Sequence, residues 1–521
     1  MRAMKWRDTT TVISTRALLV DVLVLMLLVG VGRAEVSRTS GLIAEGSKWE
    51  NPYSIVDSGV EGPTLLITGG LHGNEPAGYR AAEQIRHWPI RCGKLIVVPR
   101  GNTPGLKQGT RWLPGEPDAT RNANRNFPKT GEPNEARSVA IKALWKFMQD
   151  QSPDWVVDLH EGFDFNIVNA KSDGSSIIYF DTPEMQELAA KIHNDVNSTI
   201  ANPDRRIVKR SKSGPINGGL VRAAVERLGA RGFCFETTYS KQPISIRTRQ
   251  HRIMVHRLMR ELDMVGGQGV NLMTSPDDEA IRVAVYDAGG TGGKGVENLE
   301  RILESKPTFL LHHVGPEDIR AGVLGQFDVV IFPGGSGSKE AAAIGRDGCA
   351  AVQEFVGSGG GYVGICAGAF LATAKYDWSL ALVDAKTFTG NREIPGVGVK
   401  SMWFRGSGAV KMELTDEGRA ILGDLPGLVE VRYANGPILS SAGKEDLPDY
   451  VLLAVFRTEI SKYEPQEGTM IDTPAIVASE FGAGRAIAIS PHPEATAGLE
   501  SLVQRAVAWV AGESGSVYDS Q

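Results

Sequence analysis

The chain has 521 residues, of which 42% are hydrophobic and 22% are charged, so its composition is globular and excludes disorder, collagen and coiled coil. At roughly 150 residues per domain, this length corresponds to two or three domains. The formal net charge of −5 argues against a general nucleic-acid binder, and four cysteines are too few for a disulfide framework.

The first 34 residues have the pattern of a secretory signal. Basic residues precede an apolar stretch from Leu18 to Val31, and Gly32-Arg33-Ala34 then offers small residues where signal peptidase cleaves. The apolar run is shorter than the roughly 20 residues that a membrane span needs. We therefore expect an exported protein, periplasmic or secreted, with no membrane span after cleavage. The alternative is an uncleaved signal that anchors the chain.

Two α/β domains are predicted, each with a mostly parallel or mixed sheet flanked by helices. Apolar runs that alternate with amphipathic helical patterns indicate such sheets. The first domain covers residues 41–265, an aperiodic linker covers 266–280, and the second domain covers 281–515. The predicted strands are 64–68, 94–98, 155–159 and 232–236 in the first domain, and 282–286, 309–311, 328–332 and 361–365 in the second.

Three residues at strand ends of the first domain are candidate metal ligands. His72 and Glu75 follow the strand that ends at Thr68, and His160 follows the strand 155–159. Ligands bind beyond the carboxyl ends of strands in such sheets, and two His with one Glu is a known ligand set for catalytic zinc. Zinc would lower the pKa of a bound water and polarise a substrate carbonyl. Each His taken alone is more typical of a buried structural residue than of a metal ligand.

The first domain resembles the zinc carboxypeptidase superfamily, and more closely its succinylglutamate desuccinylase/aspartoacylase branch. The resemblance rests on the motifs Gly70-Leu71-His72-Gly73-Asn74-Glu75, Asp158-Leu159-His160 and Phe235-Glu236-Thr237. It implies a zinc carboxypeptidase-like fold with His72, Glu75 and His160 as zinc ligands. It also implies that Glu236 is the general base that activates the zinc water.

The same resemblance implies a clamp for a substrate carboxylate. Asn124 and Arg125 match the Asn-Arg pair of the family, and a guanidinium suits a bidentate carboxylate contact. Arg111 resembles the arginine that polarises the scissile carbonyl. The stretch between Arg111 and Asn124 is longer than expected for the deacylase branch, so Arg121 is an alternative for this role. The expected substrate is a small molecule or peptide with a free carboxylate.

A second candidate site centres on Cys366. The sequence Gly364-Ile365-Cys366-Ala367-Gly368 lies between a predicted strand and a helix, as in a nucleophile elbow. His492 and Glu494 follow much later and could act as base and orienting carboxylate. The three residues resemble the triad of class I glutamine amidotransferases. The domain resembles the amidotransferase-like, flavodoxin-like domain at the N-terminus of some biotin-protein ligases.

Other features are interpreted as structural. Cys92, Cys234 and Cys349 are read as ordinary buried thiols, and His251 and His256 as residues on a solvent-facing helix surface. The Gly-rich stretch 289–295 lacks the spacing of a phosphate-binding loop, so it is read as a turn into a helix.

Three hypotheses about function follow. The first is an exported zinc-dependent amide hydrolase of carboxypeptidase or N-acyl amino acid deacylase type. The second places the principal chemistry, a cysteine-dependent amidase or amidotransferase-like activity, at Cys366. The third is a non-catalytic ligand-binding protein. The sequence leaves open the oligomeric state and the identity of the acyl group, amino acid or peptide.

Overall fold

The computed structural model describes residues 36–266, 272–274, 279–401, 405–462 and 468–512. The predicted signal, residues 1–34, lies outside the described residues, as does much of the predicted linker. Within the described ranges, no helix has the length and apolar character needed to cross a membrane.

The first half of the chain forms an eight-stranded mixed sheet with helices on both faces. Its strands are β1 (Ser37–Ile43), β2 (Asn51–Asp57), β3 (Thr64–Gly69), β4 (Lys94–Val98), β5 (Trp155–Gly162), β6 (Ser176–Tyr179), β7 (Val208–Arg210) and β8 (Arg231–Thr238). Its helices are α1 (Pro76–Ile85), α2 (Thr103–Gln108), α3 (Val139–Gln151), α4 (Pro183–Ser198), α5 (Leu220–Leu228) and α6 (Ile244–Glu261).

The strand order in this sheet is β1-β2-β4-β3-β5-β8-β6-β7. The central strands β4, β3, β5 and β8 are parallel and almost wholly buried, as expected for strands covered on both faces. The chain leaves β3 first toward β4 on one side and later returns to β5 on the other. The carboxyl ends of β3 and β5 therefore meet at a topological switch point, where α/β sheets bind ligands.

The second half forms a nine-stranded sheet with two small two-stranded sheets beside it. Its strands are β9 (Ile281–Tyr286), β10 (Phe309–Val314), β11 (Val329–Phe332), β12 (Gly361–Ile365), β13 (Ala385–Thr387), β14 (Asn391–Ile394), β15 (Gly398–Ser401), β16 (Ser407–Leu414), β17 (Leu428–Ala434), β18 (Leu439–Ser441), β19 (Val451–Phe456), β20 (Pro474–Phe481) and β21 (Gly484–Ile489). Its helices are α7 (Gly295–Leu303), α8 (Pro316–Arg320), α9 (Gly337–Gly357), α10 (Ala367–Ala372), α11 (Asp416–Leu422) and α12 (Glu500–Val510).

The parallel part of this second sheet has the order β10-β9-β11-β12-β21, which is the flavodoxin-like order 2-1-3-4-5. The strands β20, β19, β16 and β17 extend it in antiparallel pairs. The predicted fold class, α/β with two mixed sheets flanked by helices, is confirmed.

Helix α6 differs from its prediction. His251 and His256 were expected to face solvent, and that prediction is wrong because both side chains are buried, with exposures of 0% and 7%. The helix packs against α1, α4 and β8, and also against β10 of the second sheet. Its Arg252 is fully buried and pairs with Asp318 across the two halves. Arg252, on a helix predicted to have a solvent-facing surface, thus contributes to packing between the two halves.

Candidate active sites

The three candidate ligands of the first half converge at the switch point. One ligand atom from each of His72, Glu75 and His160 can be chosen so that all lie within 4.8 Å of one another, and all three residues are buried. Nδ1 of His72 lies 2.9 Å from Oε1 of Glu75, and Nδ1 of His160 lies 2.8 Å from Oε2. The turn between β3 and α1 supplies the first two residues, and β5 supplies the third.

The outer nitrogen of each imidazole is already held by a side chain. Nε2 of His72 lies 3.0 Å from Oδ1 of Asn122, and Nε2 of His160 lies 2.7 Å from Oδ2 of Asp158. If each Nε2–H donates to that oxygen, both Nδ1 lone pairs point at the Glu75 carboxylate. Such outer contacts fix the tautomer and the ring orientation in metal sites. Electron-pair donors that converge without a proton between them fit a divalent cation such as zinc.

The titration behaviour of the two histidines differs because their neighbours differ. Burial lowers the pKa of His72. Burial also acts to lower the pKa of His160, but Asp158 and Glu75 outweigh it and raise that pKa well above its ordinary value. A cation that binds His160 would therefore compete with a proton for this imidazole.

Glu236 lies beside the three candidate ligands. It is the register partner of His160 on the adjacent parallel strand β8, and it faces the same cavity of about 820 Å³. Burial raises the pKa of Glu236 to about 8, with Glu75 adding to the effect. A nearby cation would oppose this shift and favour the ionised carboxylate.

The predicted carboxylate clamp also faces the cavity. The guanidinium of Arg125 donates to the backbone carbonyl of Asn124 at 2.6 Å, and the Asn124 side chain accepts from the Leu220 amide at 2.9 Å. Arg111 lines the cavity and pairs with Glu75. Its rival Arg121 stacks over Trp112 at 4.3 Å and pairs with Asp118, away from the cavity lining. The geometry therefore favours Arg111 as the arginine of this site.

Three features of this site were not assigned from the sequence. Asn122 and Asp158 hold the imidazoles, and the Asp-x-His spacing on a strand is a signal that could have identified Asp158, because residues i and i+2 share a face. Cys234 also differs from its reading as an ordinary buried thiol. It lines the cavity with its Sγ 3.7 Å from Oε1 of Glu236, and burial raises its pKa well above the usual value.

The second candidate site forms where β12 and β21 end side by side. Cys366 follows β12, and its backbone N–H donates to the Ile489 carbonyl of β21 at 2.8 Å. His492 comes shortly after β21, so residues 126 positions apart meet because their strands are neighbours. Nδ1 of His492 lies 2.7 Å from Oε1 of Glu494.

The backbone at Cys366 has the strained conformation of an elbow. Its φ of 51° and ψ of −93° are unusual for a non-glycine residue. A Cβ at Gly364 would lie 2.3 Å from the Gly368 carbonyl oxygen, and one at Gly368 would lie 2.1 Å from that of Phe332. Both glycines are therefore required by close backbone contacts. Burial lowers the pKa of His492, but Cys366 and Glu494 outweigh it and raise the value to about 10.

Comparison with known proteins supports the family resemblance predicted for each half of the chain. Residues 61–239 match the family model of the succinylglutamate desuccinylase/aspartoacylase catalytic domain. Residues 281–510 match the family model of the biotin-protein ligase N-terminal region. Both resemblances expected from the sequence are thereby confirmed.

One curated relative is N-alpha-acetyl-L-2,4-diaminobutyric acid deacetylase from Halomonas elongata. It is 36% identical over 115 residues, which are 21% of this chain and 32% of that protein. The match thus spans about a third of the relative's length.

Two solved structures are more distant. The mDAP-bound form of Helicobacter pylori Csd4, a D,L-carboxypeptidase, is 21% identical with a TM-score of 0.34, covering 39% of this chain and 52% of that one. An aspartoacylase family protein from Mesorhizobium loti is 22% identical with a TM-score of 0.32, covering 48% of this chain and 74% of that one.

Proposed function

We propose that the first domain is a zinc-dependent hydrolase that cleaves an amide bond in a small molecule or peptide carrying a free carboxylate. The observation that carries the proposal is the convergence of His72, Glu75 and His160 within 4.8 Å, next to a buried Glu on the adjacent strand. The matching family model, and the deacetylase among the relatives, support hydrolysis of an amide. The N-terminal sequence supports action outside the cytoplasm.

Each residue of the cavity has a separate task in this proposal. When held by His72, Glu75 and His160, zinc supplies Lewis acidity and lowers the pKa of a coordinated water. The carboxylate of Glu236 accepts the proton of the attacking water and returns it to the leaving nitrogen. Arg125 binds the substrate carboxylate through its planar guanidinium and so orients the scissile bond.

Arg111 is proposed to stabilise negative charge on the carbonyl oxygen. It already reaches the ligand set, since it pairs with Glu75. A cationic donor placed before the reaction where charge develops costs no reorganisation during the chemical step.

The test is metal content together with hydrolysis of a panel of N-acyl amino acids and C-terminally free peptides. We expect about one zinc per chain, hydrolysis that a chelator abolishes and zinc restores, and loss of both zinc and activity in His72→Ala. A zinc-loaded protein that cleaves no amide in the panel, with Glu236→Gln behaving identically, would refute the proposal.

A second activity is favoured by the strained backbone at Cys366. The thiol on this elbow donates to the Ala434 carbonyl at 3.4 Å, and the neighbouring His492 has Glu494 as its own partner; this set of residues suits a cysteine nucleophile with its base. We propose cysteine-dependent amide hydrolysis at this site, independent of zinc. Inhibition by iodoacetamide but not by a chelator would assign an observed amidase activity to Cys366.

A further inference from the structure

Exposed apolar side chains lie at the mouth of the zinc-site cavity and on a loop that leads away from it. Phe163, Ile216 and Tyr239 line the cavity and are 46%, 49% and 41% exposed. Ile167 and Val168 follow Phe163 in the same loop and are 47% and 57% exposed. Single exposed apolar residues are ordinary, but several gathered on neighbouring loops mark an interaction surface.

Three exposed lysines share this mouth with the apolar residues. Lys171, Lys209 and Lys212 line the cavity, and within the described ranges none of them forms a salt bridge. The carboxylate closest to Lys171 in the chain, that of Asp173, is occupied by Arg210. The mouth therefore presents three lysines that have no ion-pair partner among the described residues, beside apolar side chains. We call these three lysines and the five apolar residues the rim.

The two segments that carry most of the rim are held in defined positions. Strand β7 pairs with β6, which places Lys209 opposite Ile177. The turn after β7 is fixed by Arg222, whose guanidinium donates to the carbonyls of Ser213 at 3.0 Å and Pro215 at 2.6 Å. Each segment, 163–171 and 209–216, presents both an apolar residue and a lysine.

We propose that the rim docks on the surface of an anionic lipid bilayer and brings the cavity mouth to the membrane interface. Apolar side chains insert at the headgroup boundary while nearby lysines meet anionic headgroups. Ile167 and Val168 lie outside the cavity lining, so a small substrate bound near His72 would leave them uncovered. A twofold contact between two copies would place the same lysines against one another, which disfavours self-association.

The test is co-sedimentation with vesicles of phosphatidylcholine, with and without about one-third phosphatidylglycerol. All variants use the chain from Val36 onward, so that the predicted signal does not contribute to binding. We expect binding to the anionic vesicles that falls with added salt, and little binding to phosphatidylcholine alone. In Lys209→Ser/Lys212→Ser, affinity should fall about fivefold per lysine at low salt.

Matched variants distinguish docking through the rim from non-specific adsorption to vesicles. Ile167→Ser/Val168→Ser should lower vesicle affinity while zinc content and hydrolysis of a soluble substrate stay unchanged. Val397→Ser/Val399→Ser, on the exposed β14–β15 hairpin, and Lys107→Ser/Lys142→Ser, at exposed helix positions, should bind as the unaltered chain does. Absence of binding to anionic vesicles would overturn the proposal, as would equal loss in the control variants. A rise in mass by light scattering that the rim variants abolish, without vesicle binding, would assign the rim to self-association instead.

Discussion

His160 and Glu236 lie opposite each other on the adjacent parallel strands β5 and β8. This register places a candidate metal ligand and a candidate base at paired positions of two strands. Neither residue therefore depends on a loop for its placement. Parallel strands lie about 4.8 Å apart, and side chains at paired positions project to the same face. Catalytic groups on such strands are held more precisely than groups on loops.

Asp158→Asn should weaken zinc binding by about 10- to 100-fold, because the carboxylate that holds Nε2 of His160 would be replaced by a neutral amide. Competition with a fluorescent chelator measures this affinity. Asp204→Asn, at an exposed position, should leave it unchanged and serves as the control. Equal affinity in Asp158→Asn and the unaltered chain would show that Asp158 does not tune the site.

Glu236→Gln should lower kcat by about 10²- to 10⁴-fold, because the amide cannot accept the proton of the attacking water. Zinc content, measured by atomic emission, should stay the same, since Glu236 is not among the converging ligand atoms. Glu184→Gln, which alters an exposed ion pair with Arg231, should retain full activity. Full activity in Glu236→Gln would remove this residue from the mechanism.

Arg125→Lys should lower kcat/KM by about 10- to 100-fold for substrates with a free carboxylate, because a lysine cannot reproduce the planar two-donor contact. Substrates whose carboxylate is converted to an amide should show no further loss. Arg121→Lys should behave as the unaltered chain, since Arg121 stacks on Trp112 outside the cavity lining. The opposite ranking of the two variants would show that Arg125 does not hold the substrate carboxylate.

Residues fixed by strand ends could be predicted from the sequence, and this holds for His72, His160, Glu236 and Cys366. Each lies in or directly after an apolar run, and the carboxyl ends of neighbouring parallel strands meet at one edge of a sheet. The strand predicted at 94–98 agrees with β4 to the residue, and the run 155–159 extends to Gly162. Short apolar runs between turn-forming residues predict such strands from the local sequence alone.

Contacts that depend on packing between distant segments could not be predicted. Asn122 holds His72 from a loop 50 residues away, and no local pattern marks that encounter. The burial of His251 depends on β8, where the hydroxyl of Thr237 lies 3.1 Å from its Nε2, although its own helix is rich in arginine. The local sequence does not show whether an arginine side chain is exposed or buried. Only the position of Asp318 reveals that Arg252 is paired inside the protein.

Cys366 should react with iodoacetamide at pH 7 faster than Cys92, Cys234 and Cys349, because the elbow places its thiol near His492, a base that can accept the thiol proton. Mass spectrometry of tryptic peptides over time gives the four rates. His492→Ala should slow the reaction of Cys366 by about tenfold or more, because the neighbouring base would be removed. The rates of the other three thiols should not change, which provides an internal control. Equal reactivity of Cys366 and Cys92 would argue against a nucleophilic role.

Glu340 should make the protein less stable as the pH rises from about 4.5 to about 8. Its carboxyl group is fully buried near the start of α9, and neither oxygen has a hydrogen-bond partner among the described residues. Burial raises the pKa of Glu340 to about 8, so the folded chain keeps its proton where the unfolded chain, near 4.5, has lost it. The folded state is therefore favoured most below pH 4.5, and that advantage is lost as the pH rises to about 8, by up to about 1.4 kcal/mol of unfolding free energy per pH unit.

Urea unfolding of the unaltered chain and of Glu340→Gln at several pH values measures this contribution of Glu340. As the pH rises, the unfolding free energy of Glu340→Gln should increase relative to that of the unaltered chain. This difference should level off above pH 8. Glu354→Gln, on the same helix and exposed, should follow the unaltered chain. A pH-independent difference between Glu340→Gln and the unaltered chain would mean that Glu340 is ionised in the folded state.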